Sequence, residues 1–490
     1  MTSHSDRPDS QFVRGIGPLA ATSLVVGSMI GSGIFIVSAD IARQLGAYGP
    51  GGLLLCWLAS GAMTMMGALA YAELAAAMPQ AGGQYVFLRE GLNPAAGFLY
   101  GWTLFTVIQS GTIAAVGVAF AKFLGVLVPW SSPEVFLQFG SLSMPGGTIE
   151  LGLSNQRVVA IAMILLLTAI NTRGVSLGAS IQTIFTVAKI GALAALVLLG
   201  LFVFRNTDIA SLNFSAGTFS GAMPWTAALL PVLATAMVGS LFSSDAWNNV
   251  TFAAAEVREP AKNLPRALAL GTALVSLLYL LANVAYLQIL PFGGTAEGAT
   301  VLERGIQFAT QDRVGVAAFE VMFGSIGGTV MAVAILISTF GCNNGLILAG
   351  PRAYFAMARD GLFFARAGQL DPVTRTPSFG LWTQAAWASV LCLTGTYNEL
   401  LNYVIFAALI FYGLTTLALF RLRRTRPEMP RPVKAVGYPV LPALYIVAIV
   451  GILVALLADP VQRKFSFLGL LIVALGLPVY ALVKPKSPRG

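Results

Sequence analysis

Residues 27–35 read Gly-Ser-Met-Ile-Gly-Ser-Gly-Ile-Phe and place three glycines inside an otherwise apolar segment. Residues 242–249 read Phe-Ser-Ser-Asp-Ala-Trp-Asn-Asn and place a polar run inside a second apolar segment, downstream of Pro224 and Pro231. Glycine weakens a helix interior, and polar groups inside an apolar helix need a protein or water partner. Each stretch therefore predicts a helix that is interrupted near its middle.

The composition around these stretches is that of a membrane protein. Of the 490 residues, 57% are hydrophobic and 10% are charged, and the mean hydropathy is +0.79. Soluble domains carry about 25% charged residues, whereas a membrane helix needs about 20 consecutive apolar residues. Segments such as 161–170 are apolar on all sides, which excludes the alternation typical of barrel strands. We expect an all-α integral membrane protein embedded in a lipid bilayer.

Twelve apolar segments fit the length of a membrane-spanning helix. They cover residues 15–42, 51–78, 94–125, 155–172, 176–204, 225–257, 265–290, 316–357, 378–396, 399–420, 438–458 and 465–483. The predicted organisation is a cytoplasmic tail (1–14), a first repeat of spans 1–5 (15–204), a second repeat of spans 6–10 (225–423), two further spans (438–484) and a second cytoplasmic tail (485–490).

The distribution of Lys and Arg predicts the orientation. With the N-terminus in the cytoplasm, most of the 29 Lys and Arg residues fall on the inner side, including the cluster at 421–426. The positive-inside rule then places both termini in the cytoplasm. The predicted location is the cytoplasmic membrane.

Cysteine and histidine usage excludes several classes of site. The single histidine, His4, lies in a polar tail, and Cys56, Cys342 and Cys392 lie inside apolar segments. This pattern offers no zinc site, no histidine-based triad and no disulfide framework. We therefore expect no metal, no cofactor and no enzymatic activity. The net charge of +9 is scattered between apolar segments, so no nucleic-acid partner is predicted.

The two interruptions lie about 210 residues apart, and each falls in the first span of a five-span half, as in inverted-repeat transporters. Freed amides of Gly31, Ser32 and Gly33 would hold a carboxylate. Carbonyls of Ile30, Phe242 and Ser243 would hold an ammonium. An α-amino acid presents both charges, so the interruptions predict an amino acid site, to which Ser244, Asp245 and Asn248 are added.

A structural interpretation of the glycines stands beside the functional one. Glycines four residues apart, such as Gly27 and Gly31, are common where membrane helices simply pack closely. The polar run at 242–249 favours the functional interpretation, because an intramembrane carboxylate such as Asp245 usually lines a functional cavity.

Further motifs carry a resemblance to a known family. They are Ile-Gly-Ser-Gly-Ile-Phe at 30–35, Ala-Glu-Leu at 72–74, Pro-Gln-Ala-Gly-Gly-Gln-Tyr at 79–85, Asp-Ala-Trp-Asn-Asn at 245–249, Glu-Val-Arg-Glu-Pro at 256–260, Asn-Leu-Pro-Arg at 263–266, Ser-Thr-Phe-Gly at 338–341 and Ala-Arg-Asp-Gly at 358–361. In this order they resemble bacterial members of the amino acid-polyamine-organocation superfamily, in its L-type amino acid transporter branch.

The resemblance implies the leucine-transporter fold, with two inverted five-helix repeats, two discontinuous helices, two trailing helices and alternating access. It also implies that Phe242 is an aromatic gate above the ligand and that Asn248 faces the ligand. Animal relatives bind a single-pass glycoprotein through a cysteine in the loop after span 3. Residues 126–155 contain no cysteine, so no disulfide-linked heavy chain is expected.

Lys189 is the one basic residue predicted deep within a span. In the resembling family a lysine of span 5 occupies the place where sodium-coupled relatives bind a cation, which implies sodium-independent transport here. The lysine is then either a fixed charge or a proton carrier. The alternative is a lysine that extends to the membrane interface.

Other polar residues are weaker candidates. Gln109 and Asn343 are neutral amides within spans 3 and 8, where they line a pocket or bond to a neighbouring helix. A set of charged residues near the inner helix ends could form ion pairs that exchange during gating; these are Glu73, Arg89, Glu90, Arg359 and Asp360.

The sequence therefore predicts a secondary transporter of L-amino acids, with neutral side chains favoured and with exchange or proton coupling. The rival hypothesis is a cationic amino acid or polyamine antiporter, in which Asp245 or Glu399 provides the counter-charge. The sequence shows no continuous polar pore lining, which a channel would need. It also shows no soluble sensing domain, which a receptor would need.

Overall fold

The computed structural model describes residues 14–144, 147–395 and 397–483, with the side chains of 142–150 and 175–183 left out. The first part of the described chain is built mainly from helices. They are α1 (Pro18–Met29), α2 (Val37–Gln44), α3 (Gly49–Ala77), α4 (Gln84–Gly91), α5 (Pro94–Thr103), α6 (Gln109–Leu127), α7 (Asn155–Thr172), α8 (Val175–Leu198), α9 (Thr207–Phe214) and α10 (Ala216–Ser220).

The second part is also helical. It contains α11 (Leu229–Ser243), α12 (Asn249–Phe252), α13 (Pro260–Ile289), α14 (Val301–Arg304), α15 (Val314–Arg359), α16 (Ser378–Cys392), α17 (Tyr397–Thr425), α18 (Val440–Ala458) and α19 (Arg463–Val483). The tail residues 1–13 and 484–490, including His4, lie outside the described residues.

The helical membrane architecture is confirmed. Within the described residues, nine helical segments are long and apolar enough to cross a membrane, and α1 and α11 are shorter apolar helices. The α16 helix has 15 residues, fewer than the roughly 20 that a perpendicular crossing needs. The count of twelve spans therefore stays a prediction.

The connection after α6 contains structure that the sequence analysis did not predict. Strands β1 (Val135–Met144) and β2 (Gly147–Ser154) form an antiparallel hairpin with two register irregularities. The aromatic and branched residues at the start of β1 favour a strand. This hairpin is the one sheet found in the described chain.

Close packing brings the interrupted helices together at the centre. Helix α13 packs along both α1 and α3, and α15 packs against α6, α8 and α1. On the predicted cytoplasmic side, Ile16 forms a parallel bridge with Val257. The Ile16 amide donates to Glu256 O at 3.0 Å, and the Arg258 amide donates to Ile16 O at 2.9 Å. The segments that flank the two interruptions are thus joined on that side.

Candidate functional site

The first predicted interruption is present. Helix α1 ends at Met29, Ile30 is extended (φ −73°, ψ 95°), and a 3₁₀ turn (Gly33–Phe35) precedes α2. Gly31 and Ser32 are buried. Within the described residues, the backbone amides of Gly31 and Ser32 donate to no acceptor. Buried amides without a partner are costly, so these two suit an anionic ligand group.

Lys189 lies against the carbonyl side of this interruption. Its side chain is fully buried, and Nζ donates to Gly27 O at 2.6 Å and to Ile30 O at 2.9 Å. This burial excludes a lysine that extends to the membrane interface. The end of α1 is therefore held by an ammonium from α8.

Helix α15 holds the same segment from another direction. Ser338 Oγ donates to Gly31 O at 3.2 Å, and Cys342 Sγ donates to Ser28 O at 3.2 Å. The expectation that Ile30 offers an open carbonyl for an ammonium is wrong in this conformation, because Lys189 and Ser338 already donate to that oxygen.

The second predicted interruption is also present. Helix α11 ends at Ser243, Ala246 has a positive φ of 63°, and α12 begins at Asn249. The Phe242 carbonyl accepts from the Asp245 amide at 3.1 Å, and the Ser243 carbonyl accepts from the Tyr279 hydroxyl at 3.1 Å. These two carbonyls therefore have internal donors as well, contrary to the expectation that they stand open.

Tyr279 of α13 links the two interruptions and was missed in the sequence. Its hydroxyl lies 3.0 Å from Met29 O and 3.1 Å from Ser243 O, and its one proton can serve only one of them at a time. Asn283 and Tyr286 lie on the same face of α13, and they contact Ser38 and Ile34 O respectively. The spacing of these three polar residues, four and then three positions apart, was the available signal.

The two interrupted segments also touch directly. A Cβ placed on Gly33 would lie 2.9 Å from Ser243 Cα, so only glycine allows this approach. On the side opposite the bridge between Ile16 and Val257, the Phe242 ring meets the Tyr397 ring edge-on at 5.8 Å, and Ser32 Oγ donates to the Tyr397 hydroxyl at 3.4 Å. Tyr397, a second residue that the sequence analysis missed, therefore covers the contact from that side.

A narrow cavity of about 10 Å³, roughly the space that one water molecule needs, lies beside the second interruption. Its polar lining includes Asp245, Asn248, Gln84 and Gln109, and Tyr412 also lines it. Asn248 Nδ2 donates to Gln84 Oε1 at 2.7 Å, and Gln109 Nε2 donates to the Leu346 carbonyl at 2.7 Å. The Tyr412 hydroxyl donates to Asp245. The single acidic side chain of this lining thus has a hydrogen-bond donor of its own.

Most of the predicted site residues therefore fall into two groups. Ile30, Gly31, Ser32, Gly33, Phe242 and Ser243 meet where the two interruptions touch, and Asp245, Asn248 and Gln109 line the narrow cavity. Ser244 lines a small adjoining cavity that Asp245 and Tyr412 share. Asn343 is buried and donates to Ile113 O at 3.2 Å, and it lines neither cavity.

Ion pairs cover the predicted cytoplasmic side, with partners that differ in part from those expected. Glu73 pairs with Arg423 at 2.5 Å and with Arg431 at 3.2 Å. A buried pair joins Glu256 to Arg352 at 2.5 Å, so the segment after α12 is anchored to α15. These pairings are not predictable from the sequence alone.

The expected group around α4 does form. Arg89 pairs with Asp360 and with Glu90, and Glu90 pairs with Arg426 at 3.1 Å. Burial raises the pKa of Glu90, but the hydrogen bond from Arg426 and the charge of Arg89 outweigh it, so this pKa lies below its usual value. Arg359 is exposed and is absent from these pairs.

Metal-binding clusters are absent from the part of the chain that the structure describes. No group of three or more His, Cys, Asp or Glu side chains is arranged to hold a metal ion there.

The known proteins that this chain resembles are amino acid permeases, transporters and exchangers. Residues 16–477 match a family model described as amino acid permease. The chain is 31% identical over 489 residues to the serine/threonine exchanger SteT of Bacillus subtilis, covering 98% of this chain and 99% of that protein. It is 29% identical over 438 residues to the human b(0,+)-type amino acid transporter 1, covering 89% and 81%. It is also 30% identical over 469 residues to the mouse Asc-type amino acid transporter 1, covering 95% and 80%.

Proposed function

This chain belongs to the amino acid permease family and transports amino acids, and we propose that it exchanges small neutral L-amino acids without sodium by alternating access. The name of the Bacillus relative, a serine/threonine exchanger, supports both the exchange mode and the small polar side chains. The proposed setting is the cytoplasmic membrane, with both termini in the cytoplasm.

The proposed binding site holds the parts that all α-amino acids share. The amides of Gly31 and Ser32, which have no acceptor among the described residues, bind the carboxylate together with the Gly33 amide. The ammonium binds at the carbonyls of Phe242 and Ser243. Each of these oxygens has a second lone pair beyond the one that its internal donor uses.

Selection of the side chain is assigned to the narrow cavity. Its lining offers the neutral amides of Gln84, Gln109 and Asn248, and its carboxylate, Asp245, accepts from Tyr412. That hydrogen bond is the observation that carries the preference for neutral substrates, because a carboxylate already engaged is a weaker counter-ion for a cationic side chain. The small size of the cavity favours short side chains.

Sodium independence is assigned to Lys189. Its ammonium donates to the carbonyls of Gly27 and Ile30, and a carbonyl pair at the end of a broken helix is the kind of ligand that a sodium ion would use. A fixed cation at this place removes the need for a bound one.

Ion pairs support the proposal that the predicted cytoplasmic side is closed in this conformation. The pairs of Glu73 with Arg423 and of Glu256 with Arg352 close the predicted cytoplasmic side.

All three cysteines are buried and unpaired, and none lies between 126 and 155. We accordingly propose a transporter without a disulfide-linked heavy chain.

Exchange in proteoliposomes tests the proposal. Vesicles loaded with unlabelled serine should take up labelled serine at equal rates in sodium and in choline buffer, and empty vesicles should take up little. Threonine and alanine should compete strongly, leucine weakly, and arginine and putrescine least. Strong competition by arginine or putrescine would favour the cationic rival, and a requirement for sodium would contradict the role given to Lys189.

A further inference from the structure

Two larger cavities open on the side of the molecule opposite the cytoplasmic ion pairs. Their volumes are about 340 Å³ and about 310 Å³, and Asn398 lines both of them. The larger is bordered by Asp40 and Asp459, and the smaller by Lys122, Arg157 and Asp312. We call them the acidic vestibule and the basic vestibule. The two vestibules differ in the charge of their lining although Asn398 borders both.

Lys122 has an unusual environment within the basic vestibule. Its side chain is only 15% exposed, and its nearest acidic atom, Asp312 Oδ2, lies 4.0 Å from Nζ. Within the described residues, this ammonium donates no hydrogen bond. The other oxygen of Asp312 accepts from Arg43 at 2.7 Å, so the carboxylate is shared between two cations. A largely desolvated ammonium without a hydrogen-bond acceptor is costly, and an anionic ligand would relieve that cost.

Arg157 differs from Lys122 because its guanidinium is fixed by the protein. Its Nη1 donates to Gly152 O at 2.6 Å and to Leu393 O at 3.1 Å. Arg157 thus adds a stationary positive charge to the wall, whereas Lys122 keeps three donors for a ligand.

The floor of the basic vestibule leads to the interrupted helices. Tyr397 lines this vestibule, and its hydroxyl accepts from Ser32 while its ring meets Phe242. A small molecule in the vestibule is therefore separated from the contact between the two interruptions by a single aromatic side chain. The vestibule is the path by which a substrate from that side would arrive.

We propose that Lys122 receives the carboxylate of the incoming amino acid in an outer binding site, before the substrate passes Tyr397. The inference rests on the amino acid transport described above and adds to it a second, shallower site. Every α-amino acid carries the carboxylate, so this contact serves all substrates equally. The acidic vestibule next to it attracts the ammonium and so orients the zwitterion as it enters.

Uptake measured separately from each face tests the proposal. Intact cells present the outer face to labelled serine, and inverted membrane vesicles present the cytoplasmic face. Lys122→Gln should raise the KM for uptake by cells on the order of three- to tenfold, with little change in the KM of inverted vesicles. Lys122→Arg should restore most of the outer KM. Serine methyl ester lacks the carboxylate, so its inhibition constant on cells should not respond to Lys122→Gln.

Two further variants separate this role from a structural one. Asp312→Asn removes the competing carboxylate and should leave the outer KM equal or lower, whereas a purely structural ion pair predicts that both variants raise it. Lys464→Gln removes a charge at the start of α19, where Nζ lies 4.7 Å from the centre of the Phe465 ring, outside both vestibules, and should leave KM unchanged. An unchanged outer KM in Lys122→Gln, or equal changes from both faces, would overturn the proposal. Serine uptake by the parent protein reports on the transport function independently.

Discussion

The two interrupted helices are stabilised at their interruptions by different kinds of contact. At the first interruption the loosened carbonyls are held by side chains from other helices, namely Lys189, Ser338 and Cys342. At the second, residues of the interruption itself reach outward, Asp245 to Tyr412 and Asn248 to Gln84. Among the described residues, Tyr279 is the one side chain whose hydroxyl contacts carbonyls of both interruptions.

This difference assigns different duties to the two segments. The first has no side chain larger than isoleucine between Ile30 and Gly33, and its geometry depends on partners supplied from α8 and α15. The second carries polar side chains of its own, Asp245 and Asn248, which bond to Tyr412 and Gln84. We infer that the first segment binds the constant part of the substrate and that the second selects the variable part.

The largest effect is expected when the support of the first interruption is removed. Lys189→Met keeps the volume but leaves the carbonyls of Gly27 and Ile30 without their ammonium donor. An unsatisfied buried polar group costs about 1–3 kcal/mol, so exchange should fall by roughly 5- to 150-fold. Initial rates of serine exchange, with thermal stability as a check on folding, measure this. Lys464→Met is the matched control, and activity retained in Lys189→Met would contradict the comparison.

A smaller effect is expected at the link between the interruptions. Tyr279→Phe removes the hydroxyl that contacts Met29 O and Ser243 O, and the exchange rate should fall about fivefold, as expected for one hydrogen bond of about 1 kcal/mol. Tyr286→Phe is the control on the same helix, because its hydroxyl contacts only Ile34 O, at 3.3 Å. Equal losses in both variants would show that the link between the interruptions is not what matters.

The smallest effect is expected at the second interruption, and it concerns selectivity. Tyr412→Phe removes the donor to Asp245 and frees a carboxylate in the narrow cavity. The ratio of the inhibition constants of arginine and serine should shift about threefold towards arginine, with serine exchange largely preserved. Competition curves on proteoliposomes measure the ratio. Should the ratio stay constant, Asp245 would not contribute to selection of the side chain.

The sequence predicted the features that depend on local chemistry. Glycines at 27–33 and polar residues at 243–249 mark the interruptions because helix continuity is decided within a few residues. The depth of Lys189 within a span followed from the sequence, and its place beside the first interruption was implied by the family resemblance. The donors to the loosened carbonyls were not predictable, since Ser338 lies more than 300 positions from Gly31 and meets it only through packing of α15 on α1.

Long-range pairing explains the other differences. Glu73 carries a charge that a sequence shows, but its partners Arg423 and Arg431 come from the far end of the chain. Tyr397 looked like an ordinary aromatic residue at a helix start, and only its contact with Phe242 reveals its position above the site. Local patterns located the two interruptions, and the partners that fix their shape required the folded chain.

The bridge between Ile16 and Val257 has a mechanical consequence. It fastens the strand of chain entering α1 to the stretch leaving α12, with a backbone hydrogen bond on each side. Because the bridge joins the two segments, neither half-helix can tilt alone while these hydrogen bonds hold. We therefore expect opening on that side of the molecule to be a single concerted step in which both interrupted segments move together.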